Sequence, residues 1–212
     1  FGASDVWQFH EPLEGWNKYG YTSFNYATSA SVADMLRFMA EESRKTNEAE
    51  LYVFAIRSIT RVDENILEKS LRNWSDSLPV FSTVRLRGIA SYVFNRDWSE
   101  EDIPSYFLDI IKYHTNYDSL SSSYQWSYVD EDSIYSMDKG FSSYVNSTPF
   151  ERPNITDEMS ELSVIQEKTI NELLDYCDKE GLNALFFCSP IVIQEEDEQI
   201  INMVGNIIES RG

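Results

Sequence analysis

Ser4, in the segment Phe1-Gly2-Ala3-Ser4-Asp5 at the start of the chain, could act as a nucleophile. If a strand ends just before it, Ser4 lies at the carboxyl edge of an open α/β sheet, where ligands bind in such folds. A backbone N–H in a tight turn of small residues can also donate to a developing oxyanion. The same residues are compatible with an ordinary turn, so both interpretations stay open here.

A nucleophilic serine needs a base within hydrogen-bond reach, and the chain has two histidines. His10 lies six residues after Ser4 and fits an exposed loop position. His114 falls late in a predicted helix, where it fits a hydrogen-bonded structural position or a pocket position. Asp5 could orient a ligand or cap the next segment. The sequence has no zinc-ligand spacing, calcium loop or phosphate-binding glycine motif, so we expect no metal and no cofactor.

The charge balance excludes some classes of partner. Lys and Arg total 17 and Asp and Glu total 36, which gives a net charge of −19. Such a field repels phosphate backbones and anionic lipids, so we expect no nucleic-acid partner. The longest apolar stretch, Ala184–Ile193, is far shorter than the roughly 20 residues of a membrane span. Cys177 and Cys188 fall in predicted regular elements and are interpreted as small buried hydrophobes.

Hydrophobic spacing predicts two similar units near the two ends of the chain. In the first, Tyr21–Tyr26 is a short β-prone run, an amphipathic helix follows from Ser31 to about Thr46, and Leu51–Ile56 is a buried strand. The second unit begins with a helix over Leu162–Cys177 that ends at Gly181. A strand over Leu182–Cys188 follows and ends at Ser189-Pro190. The unit ends in a helix over Ile200–Ile208, with the acidic run Glu195–Glu198 in its first turn. This alternation predicts an α/β fold with a mostly parallel sheet.

The middle of the chain, residues 62–155, has weaker periodicity. Helical stretches are predicted at 63–74 and 102–117, followed by an aromatic and serine-rich segment. A long irregular excursion of this kind is typical of an insertion or a lid. The aromatic residues from 124 to 150 could cover the core of such a lid or stack on sugar rings.

Several short motifs resemble the SGNH/GDSL hydrolases, in particular their bacterial, envelope-associated branch. The motifs are Gly2-Ala3-Ser4, Pro12, Trp16, Tyr19-Gly20, Ser23-Phe24-Asn25, Tyr113-His114 with Tyr117 and Leu120, and Thr148 to Pro153. The resemblance implies a three-layer α/β/α, flavodoxin-like fold that spans residues 1–212 as a single domain. It also implies that this domain continues beyond both ends of the sequence.

By the same resemblance, Ser4 is the nucleophile, and its own N–H contributes to the oxyanion hole. Asn25, Ala27 and Ala30 lie in the second block of the family, and Asp5 and His114 complete the predicted pocket. The implied reaction is hydrolysis or transfer of ester-linked acyl groups on cell-envelope glycopolymers. The implied location is extracellular or at the cell envelope, without a membrane span in this chain.

The sequence departs from the family pattern in three places. Ala27 and Ala30 stand where glycines are usual, although alanine keeps the N–H. Ile56-Arg57-Ser58 stands where the third block has an asparagine. The Asp-x-x-His motif of the family does not occur, either because it lies beyond Gly212 or because this member never had it. The alternative function is therefore a non-catalytic, degenerate SGNH domain that binds or scaffolds envelope components.

Overall fold

The computed structural model describes residues 1–2, 6, 15–27, 33–61, 71, 74–75, 78–79, 81–94, 104, 107, 155–189 and 194–212. These residues form four α-helices and a two-stranded parallel sheet, which confirms the predicted mixed α/β class. The helices and strands are α1 (Ala33–Arg44), β1 (Tyr52–Ala55), α2 (Thr83–Phe94), α3 (Val164–Glu180), β2 (Ala184–Phe187) and α4 (Glu195–Arg211). Two 3-10 helices accompany them, Trp16–Tyr19 and Arg57–Arg61.

Backbone hydrogen bonds extend the parallel arrangement beyond β1 and β2. The two strands pair in register from Tyr52 with Ala184 to Ala55 with Phe187. On the other edge of β1, the nitrogen of Phe1 donates to the carbonyl of Val53 at 2.9 Å, and the Phe1 carbonyl accepts from Ala55 N–H at 2.9 Å. Gly2 in turn forms a parallel bridge with Ala27. The lateral order is therefore Ala27, Phe1–Gly2, β1, β2.

The predicted strand at Tyr21–Tyr26 is wrong. The structure has irregular backbone there, and only the next residue, Ala27, makes a bridge to Gly2. Tyr21 and Phe24 are exposed, so the run packs no apolar face against the sheet. Its β-prone composition was the signal, but the backbone groups of this run pair with no neighbouring strand among the described residues.

Aromatic rings in neighbouring segments hold the sheet together. Phe54 in β1 has no exposed surface, and its ring stacks on Phe1 at 5.4 Å and on Phe186 at 5.5 Å between centroids. Helix α1 adds Met35, Leu36 and Met39 to this core, and α3 adds Ile170 and Leu173. Helices α1 and α3 pack against each other, and α2 packs on α1.

The two C-terminal helices have residues at their ends that stabilise helix termini. Ser163 and Gln166 form a reciprocal capping box at the start of α3. Gly181 ends α3 in the left-handed conformation with φ of 62°, as predicted. The acidic run Glu195–Glu198 occupies the first turn of α4, also as predicted.

The middle region contains one helix that the sequence did not indicate. Helix α2 carries Gly88 at its centre, where the indole of Trp74 packs so closely that a Cβ would lie 2.1 Å from Cη2 of that ring. A glycine and a buried Arg85 interrupt the apolar periodicity that would have predicted the helix. The predicted helices at 63–74 and 102–117 lie largely outside the described residues, as does most of the predicted insertion.

The described helices include none that is both long and apolar enough to cross a bilayer. The longest are α3 and α4, at 17 residues each. Both carry charged residues along their length and have only one face in the core.

Candidate functional site

Buried polar side chains gather at the carboxyl ends of the parallel strands. Arg57 and Ser58 follow β1 after Ile56 and are 8% and 7% exposed, and Ser189 follows β2 after Cys188 and is 2% exposed. The strands that precede them are made of Tyr, Val, Phe, Ala and Leu. Because ligands of open α/β sheets bind outside the carboxyl ends of the strands, this edge is the candidate functional site.

Gly2 lies at this edge in a position that only glycine fits. A Cβ on Gly2 would lie 2.5 Å from Cγ2 of Val6 and 2.9 Å from Cβ of Ala55. Val6 is itself 3% exposed. The chain therefore returns to Gly2 within four residues, with Ser4 between the two in sequence.

The second segment of the predicted site reaches the same place. The Asn25 side-chain Nδ2 donates to the carbonyl of Val6 at 2.6 Å. Two residues later, Ala27 forms the parallel bridge to Gly2. Asn25 and Ala27 are therefore brought against the residues that flank Ser4, as a pocket role requires. Each of these contacts joins residues about 20 or more positions apart.

The remaining predicted site residues lie outside the described residues. They are the nucleophile, its neighbour, one alanine of the second block and the two histidines: Ser4, Asp5, Ala30, His10 and His114. Their roles stay predictions. The structure describes the nearest residues on either side of this segment, Gly2 and Val6.

Arg57 and Ser58 are polar residues of this edge to which the sequence gave no role. They begin the 3-10 helix Arg57–Arg61, whose backbone is held by Ile59 N–H to Ile56 carbonyl at 3.0 Å. From α3, Gln166 Nε2 donates to the Ile59 carbonyl at 3.2 Å. A signal was present, because two polar residues follow directly on a buried strand.

Exposed aromatic rings lie on the segment that leads into Asn25. Tyr19, Tyr21 and Phe24 are 78%, 50% and 66% exposed. The backbone beneath them is ordered by left-handed glycines at 15 and 20 and by the hydrogen bond from Tyr21 N–H to the Trp16 carbonyl at 3.2 Å. Residues 15–27 contain no acidic residue, although the whole chain has 36.

A second polar region is a groove of about 490 Å³ between α1, α2 and α3. Its four cations all lie beside an acid: Arg37 with Glu172 at 3.0 Å, Arg44 with Glu180 at 2.8 Å, Lys179 with Glu180 at 3.6 Å, and Arg87 with Glu41. The hydrogen bond from the Arg44 guanidinium lowers the pKa of the Glu180 carboxyl. Desolvation raises the pKa of the Tyr176 hydroxyl, which also lines the groove.

The described residues offer no metal centre, and their buried thiol is unreactive. No three His, Cys, Asp or Glu side chains within the described ranges come together as metal ligands. Neither Cys177 nor Cys188 forms a disulfide; Cys177 is buried as predicted, whereas Cys188 is half-buried. Burial raises the pKa of the Cys177 thiol to about 11, which keeps it in the unreactive protonated form.

No family model, no curated protein and no solved structure matches this chain. The candidate site is therefore defined by the residues of this chain alone. They are the close packing of Gly2, the hydrogen bond of Asn25 and the buried polar side chains that follow β1 and β2.

Proposed function

We propose that this chain is an SGNH-like serine esterase or acyltransferase with Ser4 as its nucleophile. The observation that carries the proposal is the packing of Gly2 against Val6 and Ala55 at the carboxyl edge of the parallel strands. In the proposed arrangement, Ser4 follows this glycine by two residues and lies beside the segment of Asn25 and Ala27, which contact Val6 and Gly2. That is the arrangement a nucleophile at a sheet edge needs.

The lateral order of the parallel segments supports a three-layer, doubly wound fold for the whole domain. Numbered along the chain, Phe1–Gly2 is first, Ala27 second, β1 third and β2 fourth. Their order in space is then 2-1-3-4, which agrees with the first four positions of the flavodoxin-like order. We therefore propose that the complete domain is a flavodoxin-like α/β/α sandwich.

In the proposed reaction, Ser4 Oγ attacks the carbonyl carbon of an ester. The serine proton passes to a general base; the resemblance gives this role to the histidine of an Asp-x-x-His motif, which does not occur within residues 1–212. The tetrahedral intermediate collapses, the bond to the sugar oxygen breaks, and the sugar hydroxyl leaves with the proton. Water or a second hydroxyl then takes the acyl group from Ser4. Backbone N–H groups at Ser4 and near Ala27 and Ala30 hold the oxyanion.

The exposed aromatic segment supports a glycopolymer as the substrate. Tyr19, Tyr21 and Phe24 offer ring faces that can stack on the apolar faces of sugar rings. The net charge of −19 disfavours a polyanionic chain, and the absence of acids in residues 15–27 is compatible with a neutral polymer at this segment. Envelope glycopolymers meet both conditions, so we propose an extracellular or envelope location.

Ester turnover by the full-length natural protein tests the proposal. We expect p-nitrophenyl acetate hydrolysis and fluorophosphonate labelling in the wild type, and loss of both in Ser4→Ala. Ser210→Ala, at the exposed end of α4, is the matched control and should retain both. Full activity of Ser4→Ala, or an inert wild type, would contradict the proposal; the latter result would favour a binding or scaffolding domain.

A further inference from the structure

Residues 155–165 expose a group of large apolar side chains. Among the described residues, ten large hydrophobic side chains are exposed, and four of them lie in this run: Ile155, Met159, Val164 and Ile165. Ile155 is 87% exposed and Val164 is 81% exposed. Single exposed apolar side chains are ordinary, whereas a group of them in one place is typical of an interaction surface.

The backbone of this run is held against α4, so the exposure belongs to the folded state. The Asn202 side chain of α4 donates to the carbonyl of Thr156 at 2.8 Å and to the carbonyl of Glu158 at 3.0 Å. The N–H of Ser160 donates to the Gln199 carbonyl at 3.3 Å. The folded backbone therefore presents the apolar side chains to solvent.

Carboxylates without ionic partners lie among these apolar side chains and beside them. The run contains three acids and no Lys or Arg: Asp157, Glu158 and Glu161. Four more acids, Glu195–Glu198, form the first turn of α4 directly before Gln199, the residue that Ser160 contacts. Among the described residues, none of these seven carboxylates has a Lys or Arg within ion-pair distance. At the other end of α4, by contrast, Arg211 pairs with Asp175 at 2.7 Å.

Exposed apolar side chains and unpaired carboxylates together define the chemistry of a partner. Lys or Arg side chains of the partner would pair with the carboxylates, and its apolar side chains would cover residues such as Val164. Nucleic acids and anionic lipids are repelled by the carboxylates, and a neutral bilayer would draw the carboxylates out of water. A second copy of this chain would bring the same acidic face into a symmetric dimer, so like charges would meet. A free cation would leave the apolar side chains in water.

We propose that residues 155–165 and the first turn of α4 form a docking surface for a cationic, amphipathic protein segment. In this segment Lys or Arg side chains alternate with apolar side chains. Binding buries Ile155 and Val164 and pairs Asp157 and Glu161 with cations of the partner. It requires no reaction at Ser4, so it is tested separately from the proposed function.

Fluorescence anisotropy of labelled peptides with the full-length natural protein tests the docking surface. The probe is a short amphipathic peptide of Lys and Leu, and its reference is a Lys and Ser peptide of equal length and charge. We expect the Lys–Leu peptide to bind about tenfold more tightly, because it also buries apolar surface. Its affinity should fall with added salt, since the carboxylates are exposed.

Two double variants separate the apolar and the charged contributions. Ile155→Ser with Val164→Ser should weaken binding of the Lys–Leu peptide by about tenfold. The thermal midpoint should hardly change, because both side chains are largely exposed. Asp157→Asn with Glu161→Gln should weaken binding of both peptides and reduce the salt dependence.

Two further variants control for attraction to the negative charge of the whole chain. Phe81→Ser removes a side chain that is 93% exposed elsewhere, and Glu209→Gln removes an exposed acid in the last turn of α4. Both should bind the Lys–Leu peptide like the wild type, and equal losses in these controls would overturn the docking surface. A wild type that binds neither peptide would also overturn it, as would binding to neutral lipid vesicles in place of the peptide. A dimer that Ile155→Ser disrupts would assign the surface to a second copy instead.

Discussion

Polar side chains gather in two regions, the groove between α1, α2 and α3 and the carboxyl edge of the sheet. The two regions differ in how these side chains are paired and how far they are buried. In the groove, partly exposed cations lie beside acids, as Arg37 does beside Glu172. At the sheet edge the polar residues are at least nine-tenths buried, and Ser58 has no partner among the described residues. Paired, partly solvated charges need no ligand, whereas an unpaired buried hydroxyl is costly. The groove also buries the Nε of Arg37 without a hydrogen-bond partner, so the comparison rests on its ion pairs, and the chemistry proposed above is placed at the edge.

The largest effect should come from the core that supports both regions. Phe54→Ala removes a ring with no exposed surface that stacks on Phe1 and Phe186. We expect a loss of about 3–5 kcal/mol in the free energy of unfolding, measured by urea denaturation. Phe24→Ala, at a position that is 66% exposed, should change it by less than about 0.5 kcal/mol. Similar losses in the two variants would contradict this account of the core.

A smaller effect should separate the sheet edge from the helices. Gly2→Ala places a Cβ against Val6 and Ala55, and we expect a loss of about 1–3 kcal/mol on unfolding. Gly205→Ala in α4 meets nothing within 4 Å. It should raise stability by about 0.5–1 kcal/mol, because alanine is the better helix former. A neutral Gly2→Ala would show that the edge is less tightly packed than described.

The ion pairs of the groove should have smaller effects still. For Arg37 and Glu172, a double-mutant cycle with Arg37→Gln and Glu172→Gln should give a coupling free energy of about 0.2–1 kcal/mol. The coupling should fall further in 1 M salt, since the pair is partly exposed. A coupling well above this range would mean that the groove is more than a set of surface ion pairs and would weaken the comparison.

The smallest effect should be the contribution of the Arg44–Glu180 ion pair to the pH dependence of stability. Arg44 lowers the pKa of the Glu180 carboxyl in the folded state. The stabilisation is therefore complete above the ordinary carboxyl pKa and is lost as the pH falls through the lowered value. Glu180→Gln should remove a small part of the acid-induced loss of stability, as followed by urea midpoints. In an Arg44→Gln background, Glu180→Gln should have a smaller effect, because only Lys179, at 3.6 Å, then still lowers the pKa of the Glu180 carboxyl.

Local sequence patterns were sufficient for most regular elements. The spacing of apolar residues and Gly181 placed α3, and the acidic run placed the start of α4. Helix α2 was not predicted because it contains Gly88, a poor helix former. This glycine makes room for the ring of Trp74, a contact that the local spacing of apolar residues does not reveal. The Tyr21–Tyr26 strand was predicted in error because β-propensity alone does not supply a neighbouring strand.

The candidate site was only partly visible for the same reason. A glycine and a serine near the start of the chain marked it in the sequence. The contacts from Asn25 to Val6 and from Ala27 to Gly2 depend on chain segments about 20 or more residues apart. The burial of the Ser58 hydroxyl without a hydrogen-bond partner depends on all the residues packed around it, so the local sequence could not predict it.

The central claim is that the reactive serine lies at the carboxyl edge of the sheet. Mass-spectrometric mapping of the full-length natural protein after fluorophosphonate treatment tests it most directly. The account predicts a single modification on Ser4, within the tryptic peptide that ends at Lys18. Modification of a serine in the helical groove, such as Ser91, or no modification at all, would contradict it.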